Sequence, residues 1–387
     1  MDYIEIADTA LLSVLFVSFI FQLVYYWGYF FKPYKYQKRQ EQDGREVNQP
    51  PVSVIITGHN EARYLEDFMP VILNQDYPEY QVIFVNDAST DDTEDVLKRL
   101  AYQYPHFYYT YIQEGSKNLS RKKLALTLGI KAAKYDVLLF TEAGAFPDSP
   151  DWITRMASQF SEKKKIVLGF SCLEKYPSKY AVYDHFFSNL KMMSLALSGH
   201  PYMGNGWNLI YSKQYFEEQK GFSRINFLDV GEDDLFINQI ASSTNTAVEL
   251  SPESIVKVDM PYKKQWKELK NSRMISCEFY KKYPVFFWNT EEVTRALFYL
   301  TFVLSAAHFI FYSNWIFLAI VAFFFLFRLF TQLYVINKTS ALLKLKEHKF
   351  YFSILFFDII QLFVNANFYF YKVFRKRNHY NWKYERR

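Results

Sequence analysis

Cysteine, glycine and proline are scarce in this chain of 387 residues, and each scarcity excludes a class of protein. The 2 cysteines, Cys172 and Cys277, are too few for a disulfide scaffold and form no CxxC motif for zinc or redox chemistry. With 12 glycines, 13 prolines and 50% hydrophobic residues, the chain is neither collagen-like nor disordered. The sequence also lacks GxGxxG and GxxxxGKS/T, so the dinucleotide and P-loop fingerprints do not apply. A net charge of +5 is too small to indicate nucleic acid as a partner.

Long stretches without Asp, Glu, Lys or Arg predict membrane helices. Residues 9–31 form such a stretch, and 23 helical residues rise roughly 34 Å, enough to cross the hydrocarbon core. The segment starts with the acidic residues Asp2, Glu5 and Asp8, whereas a cleaved signal peptide starts with basic ones. We therefore expect a retained N-terminal anchor.

The C-terminal part of the chain predicts two further membrane helices, 294–312 and 315–336, joined by a tight turn. A third stretch, 350–371, is less uniformly apolar because it contains Asp358 and Gln361. Its polar middle favours a re-entrant or surface-lying segment. For all of these stretches, the alternative is a buried core helix of a soluble protein.

Basic residues cluster beside these apolar stretches and predict their orientation. Lys and Arg are frequent in 32–45, 338–349 and 372–387, which places these segments in the cytoplasm and the N-terminus outside. The chain then divides into an N-terminal anchor with a basic linker (1–50), a soluble domain (51–260), an amphipathic interfacial helix (261–290), and C-terminal membrane helices with a basic cytoplasmic tail (291–387).

The soluble part alternates short apolar runs with amphipathic stretches, a pattern typical of βαβ units. Its first apolar run, VSVII, is nearly continuous, as in a strand that is covered on both faces. The predicted fold class is therefore α/β with a mainly parallel, twisted sheet. Strands are predicted at Val52–Thr57, Gln81–Asn86, Phe107–Gln113 and Val137–Thr141, with helices at about 61–74, 91–104 and 119–134.

Acidic and small polar residues follow the predicted strands. Asn60 and Glu61 follow the first strand, Asp87 follows the second, Glu142 follows the fourth, and the stretch 231–234 (GEDD) opens a later helix. Ligands of such sheets bind beyond the carboxyl ends of the strands, so these groups are expected to converge on one edge. Each of them alone has a structural alternative, such as capping the next helix.

These residues carry a resemblance to a known family. The segment 51–93 resembles the opening of the family-2 glycosyltransferases, which have the GT-A fold, and the likeness continues through 121–126, 203–208 and 231–234. It covers roughly 50–280 in the expected order. The layout, with one anchor before the domain and membrane helices after it, is similar to that of cellulose and hyaluronan synthases, although this chain is shorter.

The resemblance implies an inverting transfer of a sugar from a nucleotide-sugar, and it implies where the donor binds. Asn60 and Glu61 would lie at the nucleotide pocket, Asp87 would face the base or ribose, and Lys122 would lie near the phosphates. A carboxylate that removes the acceptor proton typically contributes about 10²–10⁴-fold to the rate.

The resemblance also implies the catalytic and acceptor groups. The general base would be Asp233, with Asp234 as a competing assignment, and Glu232 belongs to the same motif. Further substrate-binding residues would be Gly204, Gly206, Trp207 and Arg273. For Trp207, the alternative to stacking on an acceptor sugar is packing within its loop.

A divalent cation is the implied cofactor, but its motif departs from the family pattern. The family has Asp-x-Asp where this chain has Glu142 and Gly144, so the second carboxylate is missing. Mg²⁺ or Mn²⁺ could be held by Glu142 with waters and phosphates. The alternative is a cation-free site that uses Lys122, Lys123 and Arg273 to stabilise the leaving diphosphate.

A second departure concerns the acceptor. Polymerising relatives carry QxxRW, whereas this chain has Lys270, Arg273 and Met274 at the matching positions. We therefore expect addition of one or a few sugars to a lipid-linked or membrane-proximal glycan acceptor, at the cytoplasmic side of a bacterial-type inner (plasma) membrane. The stretch 262–282 would contact membrane lipids or, alternatively, pack on the soluble domain. The alternative function is a degenerate glycosyltransferase that binds a nucleotide-sugar as a scaffold in an envelope-glycan assembly.

Overall fold

A computed structural model describes residues 3–43, 48–112, 120–345, 349–351 and 353–379. Residues 380–387, which complete the predicted basic tail, lie outside the described residues, as does the end of the predicted third strand at residue 113. The chain divides into two compact units. One contains residues 37–281, and the other combines 1–36 with 282–387.

The unit 37–281 is built on two β-sheets. The larger has seven strands in the order β3-β2-β1-β4-β8-β6-β9, and the smaller has three in the order β5-β10-β7. The strands are β1 (Val52–Gly58), β2 (Tyr80–Asn86), β3 (Phe107–Tyr111), β4 (Val137–Glu142), β5 (Ala145–Pro147), β6 (Ile166–Leu168), β7 (Ser171–Lys175), β8 (Leu209–Ser212), β9 (Thr246–Val248) and β10 (Val256–Asp259).

Helices alternate with the first strands of this unit, as the sequence pattern predicts. The predicted α/β class with a mainly parallel sheet is confirmed, and the first four strands and three helices lie within two or three residues of their predicted bounds. The helices are α3 (Ala62–Leu73), α4 (Thr93–Gln103), α5 (Arg121–Ala132), α6 (Trp152–Ala157), α7 (Lys179–Ala196), α8 (Lys213–Glu218), α9 (Asp234–Ile240) and α10 (Lys263–Ser276).

Strand register brings the carboxyl ends of the central strands to one edge. The strand β1 pairs in parallel with both β2 and β4, so that Gly58 lies opposite Asn86 and Thr57 lies opposite Glu142. Five successive residues of β1, from Val52 to Ile56, are buried, as expected for a strand covered on both faces. The antiparallel strand β8, which pairs with β4, is not among the strands predicted from the sequence.

The second unit consists of long helices. Four segments, Asp8–Glu41, Lys282–Phe311, Trp315–Leu342 and Ser353–Phe370, are long and apolar enough to cross a membrane. The helices are α1 (Tyr3–Tyr25), followed by a π-helical turn at Tyr26–Phe30, α2 (Lys32–Asp43), α11 (Lys282–Phe311), α12 (Trp315–Leu342) and α13 (Ser353–His379).

A buried network of charged and polar side chains joins four of these helices. Asp358 of α13 accepts hydrogen bonds at 2.8 Å from Arg295 of α11 and at 2.8 Å from Arg328 of α12. Tyr299 donates to the same carboxylate at 2.7 Å, and Gln22 of α1 accepts from Arg328 at 2.9 Å. Removing one partner of such a buried pair typically costs about 3–5 kcal/mol, because the remaining charge stays buried.

This network changes the interpretation of the last apolar stretch. The helix α13 is continuous from Ser353 to His379, so it does not have the break that a re-entrant segment requires. Asp358 and Gln361, whose polarity suggested a surface-lying segment, are buried, and Gln361 accepts from Arg295 at 2.8 Å. The polar middle is therefore accommodated by partners on neighbouring helices, which sequence periodicity does not reveal.

The predicted interfacial helix is shorter than expected. The structure ends α10 at Ser276, and residues from Lys282 onward belong to α11. Within the unit 37–281, Trp266 and Lys270 both donate to Asp184 of α7, at 3.0 and 2.6 Å. This face of α10 therefore packs on other residues of the unit 37–281. This agrees with the alternative prediction for residues 262–282, in which they pack on the domain and not on lipid.

Candidate functional site

A cleft opens at the carboxyl ends of β1 and β4. Three carboxylates and one ammonium group line it together with small, aliphatic and aromatic residues. The lining residues are Thr57, Lys122, Leu126, Phe140, Thr141, Glu142, Gly206, Leu209, Tyr211, Glu232 and Asp233. The structure thus brings together five of the residues predicted from the sequence, from four separate segments of the chain.

The ammonium group of Lys122 lies between two of these carboxylates. Its Nζ atom is 2.5 Å from Oε1 of Glu142 and 3.0 Å from Oε1 of Glu232. Desolvation lowers the pKa of Lys122, but the negative charges of Glu142, Glu232 and Asp233 outweigh it and hold that pKa well above its ordinary value. Lys122 is therefore a permanent positive charge in the cleft.

Backbone donors hold the carboxylate of Asp233 at the start of α9. The backbone N–H of Asp234 donates to its Oδ1 at 2.8 Å, and the backbone N–H of Gly206 donates to its Oδ2 at 3.0 Å. Asp233 is half-buried and lines the cleft. An oriented carboxylate at the wall of a cleft is suited to accept a proton from a bound hydroxyl group.

Asp234, the competing candidate, is not among the residues that line the cleft. It is buried, and its carboxylate accepts from the hydroxyl of Tyr280 and from the backbone N–H of Leu235, both at 2.6 Å. Burial raises the pKa of Asp234 to about 7, with Asp233 as the next contributor. The surroundings of these two neighbours therefore favour Asp233 as the group that meets a substrate.

The loop that contains Gly204, Gly206 and Trp207 packs directly against Asp233 and Glu142. A Cβ atom at Gly204 would lie 3.0 Å from the carbonyl oxygen of Asp233, so no larger residue fits there without a shift. The indole N–H of Trp207 donates to Oε2 of Glu142 at 2.7 Å. Trp207 is buried, so its indole supports the cleft wall and its ring is not an open stacking platform.

The predicted nucleotide-binding residues form a second group beside the cleft. Asn60 accepts from the backbone N–H of Thr90 at 2.8 Å, which ties the loop after β1 to the loop after β2. Asp87 pairs with Arg121, the residue before Lys122, at 2.5 Å. Burial, with a further contribution from Glu142, raises the pKa of Glu61 to about 7.

Two basic residues proposed for a cation-free site do not line the cleft. The ammonium of Lys123 is buried and donates to the carbonyl oxygens of Ile225, Leu228 and Val230 at 2.7–2.8 Å. Arg273 of α10 donates to Ser188 at 2.7 Å. Of the three candidates, Lys122 is the one among the cleft-lining residues.

Sequence reasoning missed several residues of the site. Thr141 and Tyr211 line the cleft, and the buried hydroxyl of Thr141 has no hydrogen-bond partner among the described residues. Thr141 ends the fourth predicted strand, so its position was a usable signal. Tyr280 lies 46 residues from Asp234, and no local pattern could have connected the two.

Comparison with known proteins supports this description. The Glycosyl transferase family 2 model matches residues 53–218. The chain is 36% identical over 67 residues to the putative teichuronic acid biosynthesis glycosyltransferase TuaG of Bacillus subtilis, an alignment that covers 17% of this chain and 27% of TuaG. It is 26% identical over 116 residues to the poly-beta-1,6-N-acetyl-D-glucosamine synthase of Staphylococcus epidermidis, covering 30% and 26% of the two chains. These alignments thus span about a quarter of each relative.

The solved structure of another protein has a fold similar to that of this chain. The mannosyltransferase PcManGT from Pyrobaculum calidifontis, in complex with GDP-Man and Mn²⁺, aligns with a TM-score of 0.52 and 20% identity over 88% of this chain and 99% of its own. The unit 37–281 is a GT-A-type α/β domain. The chain carries a domain of glycosyltransferase family 2, as the motifs predicted.

The donor set of the cleft is a poor match for the divalent cation that the family implies. Glu142 is the carboxylate at the expected position, and its two oxygens already accept from Lys122 and Trp207. The second position of the motif is Gly144, which has no side chain. Within the described ranges, no group of three or more His, Cys, Asp or Glu side chains is arranged to hold a metal ion.

Proposed function

We propose that this protein is an inverting glycosyltransferase that uses a nucleotide-sugar donor. The observation that carries the proposal is the position of Asp233, which is oriented by two backbone N–H groups at the wall of a cleft shared with Lys122. The family-2 glycosyltransferase domain supports this reaction class, and the comparison structure of the same fold was obtained with a nucleotide-sugar.

In the proposed reaction, Asp233 accepts the proton of the acceptor hydroxyl as that oxygen forms its bond to the anomeric carbon. The bond from that carbon to the diphosphate breaks on the opposite side, and the nucleoside diphosphate leaves with the electron pair. Negative charge grows on the leaving oxygen, so a fixed positive group nearby lowers the barrier. Asn60, Glu61 and Asp87 are proposed to bind the nucleoside part, and Gly204, Gly206, Trp207 and Arg273 to form the acceptor side.

The proposed acceptor is a lipid-linked or membrane-proximal glycan, reached from the cytoplasmic face. This is supported by the four helices that are long and apolar enough to cross a membrane, and by the basic segments that follow the first and third of them. The proposed division of the chain is the one predicted above, except that residues 282–290 join the first C-terminal helix.

The scaffold alternative is supported by one observation, the glycine at position 144. A protein that binds a nucleotide-sugar without turnover would keep the nucleotide loops and lose catalysis. The position of Asp233 at the cleft wall favours the enzyme over the scaffold, because a scaffold needs no oriented base.

The test measures nucleotide release from UDP-glucose, UDP-N-acetylglucosamine and GDP-mannose by the full-length protein in detergent, with membrane lipid extract as acceptor source. We expect Asp233→Asn to lower the rate at least about 100-fold, because the amide cannot accept the proton. Asp67→Asn, on the exposed face of α3, is the matched control and should retain full activity. Equal rates for the wild type and Asp233→Asn would refute the assignment of the base.

A further inference from the structure

We propose that the ammonium group of Lys122 takes the place of a divalent cation in this cleft, so that nucleoside diphosphates bind without metal. This inference rests on the proposed function in that it assumes a nucleotide-sugar donor. It goes further because it assigns the diphosphate-binding charge to one side chain and removes the cofactor that the family implies.

Both carboxylate oxygens of Glu142 already accept hydrogen bonds from protein side chains. A metal bound through this carboxylate would compete for its lone pairs with the ammonium of Lys122, 2.5 Å from Oε1, and with the indole N–H of Trp207, 2.7 Å from Oε2. The second carboxylate that would compensate for this competition is absent, because position 144 is glycine. The donor set is therefore already satisfied by side chains of the protein itself.

Lys122 lies between two carboxylates at the cleft wall. Without a positive group between Glu142 and Glu232, a diphosphate at this point would meet two negative charges. Lys122 stands at bonding distance from both carboxylates and is part of the cleft wall. An ammonium group has three N–H donors, and these two carboxylates use two of them. Its side chain is 42% exposed, so the third donor can reach a phosphate oxygen.

The other basic residues considered for this role have different partners. Lys123 is committed to three backbone carbonyl oxygens, and Arg273 contacts Ser188 outside the cleft. Arg121, the residue before Lys122, pairs with Asp87 on the predicted nucleoside side of the site. The first turn of α5 thus presents two cations, one toward the predicted base or ribose position and one toward the predicted phosphate position.

The experiment is calorimetric titration of the full-length protein with UDP and with GDP, in EDTA and in MnCl₂. We expect the dissociation constant of the nucleotide that binds to agree within about twofold between the two conditions. Lys122→Met should weaken binding at least about tenfold, since a charge-assisted hydrogen bond to phosphate is lost. Lys131→Met, an exposed lysine at the other end of the same helix, should bind like the wild type.

The proposal is overturned if binding is lost in EDTA and restored by MnCl₂, or if Lys122→Met binds as tightly as the wild type. The wild-type comparison stays decisive even if the Lys122→Met variant fails to fold. Metal-independent binding without sugar transfer would uphold the role of Lys122 and reject the enzymatic function. Binding of neither nucleotide under either condition would reject the donor class and this inference with it.

Discussion

Two neighbouring aspartates in this protein have opposite surroundings, and that contrast assigns their roles. Asp233 has its carboxylate at the cleft and is oriented by backbone N–H groups, whereas Asp234 is buried against Tyr280. A base must reach the substrate, so the half-buried Asp233 at the cleft wall is the candidate base, and the buried Asp234 supports the helix that carries it.

The buried aspartate leads to a prediction on the pH dependence of stability. The folded-state pKa of Asp234 is about 7, above its ordinary value of 3.8, so its contribution to stability is fully present below pH 4 and is lost as the pH rises through 7. Because the folded state retains the proton of Asp234 over most of this range while the unfolded state has released it, the free energy of unfolding should fall by on the order of 2 kcal/mol between pH 5 and pH 7.

Thermal unfolding at a series of pH values, compared between the wild type and Asp234→Asn, measures this contribution. The variant should show a flatter profile, because the amide does not titrate. Glu94→Gln, an exposed carboxylate of α4, is the matched control and should leave the profile unchanged. Parallel profiles for the wild type and Asp234→Asn would contradict the prediction.

At the scale of elements, helix α5 determines where the cations of the cleft lie. It packs closely on the sheet because residue 129 is glycine, and a Cβ atom there would lie 2.7 Å from Ile55 Cγ2 and 3.2 Å from Val85 Cγ2. The short distance between helix and sheet lets Lys122, in the first turn of α5, reach Glu142 at the end of β4.

Gly129→Ala should therefore destabilise the unit 37–281. Overpacking of a core typically costs about 1–3 kcal/mol, while alanine regains about 1 kcal/mol of helix propensity, so the net change should be a loss of up to about 2 kcal/mol. The free energy of unfolding is measured by denaturant titration. Gly144→Ala serves as the control, because a Cβ atom there meets its nearest neighbours at 3.6–3.7 Å, an ordinary contact. Two equally stable variants would show that the α5–sheet contact is not tight.

At the scale of the whole molecule, the long helices present large apolar side chains at their surface, as helices that face hydrocarbon do. Phe311 is 80% exposed and Ile316 is 76% exposed, although the unit buries charges in its interior. Such a distribution, apolar outside and polar inside, is the reverse of that in a water-soluble bundle.

The proposed orientation predicts which side of the membrane exposes the soluble unit. In inverted membrane vesicles, trypsin should cleave within residues 37–281, which are rich in exposed lysines, and should leave the long apolar helices protected. In intact spheroplasts the same unit should resist cleavage. The opposite pattern would place the domain outside and would remove the cytoplasmic nucleotide-sugar pool as its donor source.

The alternation of strands and helices, the convergence of Glu142 and Asp87 on one sheet edge, and the long apolar segments were all determined by the sequence alone. The physical reason is that these features depend on local periodicity and on the rule that parallel strands end at a common edge. Strand β8 and the small second sheet could not be predicted, because their pairing partners lie far away in the chain.

Where two residues of the same type are adjacent in the sequence, tertiary packing determines which of the two side chains lines the cleft. Lys122 and Lys123 look alike in sequence, as do Asp233 and Asp234, but in each pair one member faces the cleft and the other is buried among groups brought from distant segments. The same holds for Asp358, whose burial is acceptable because Arg295 and Arg328, 63 and 30 residues earlier, neutralise it. Long-range pairing decides these outcomes because the cost of burying a charge depends on its partners, and no local pattern encodes them.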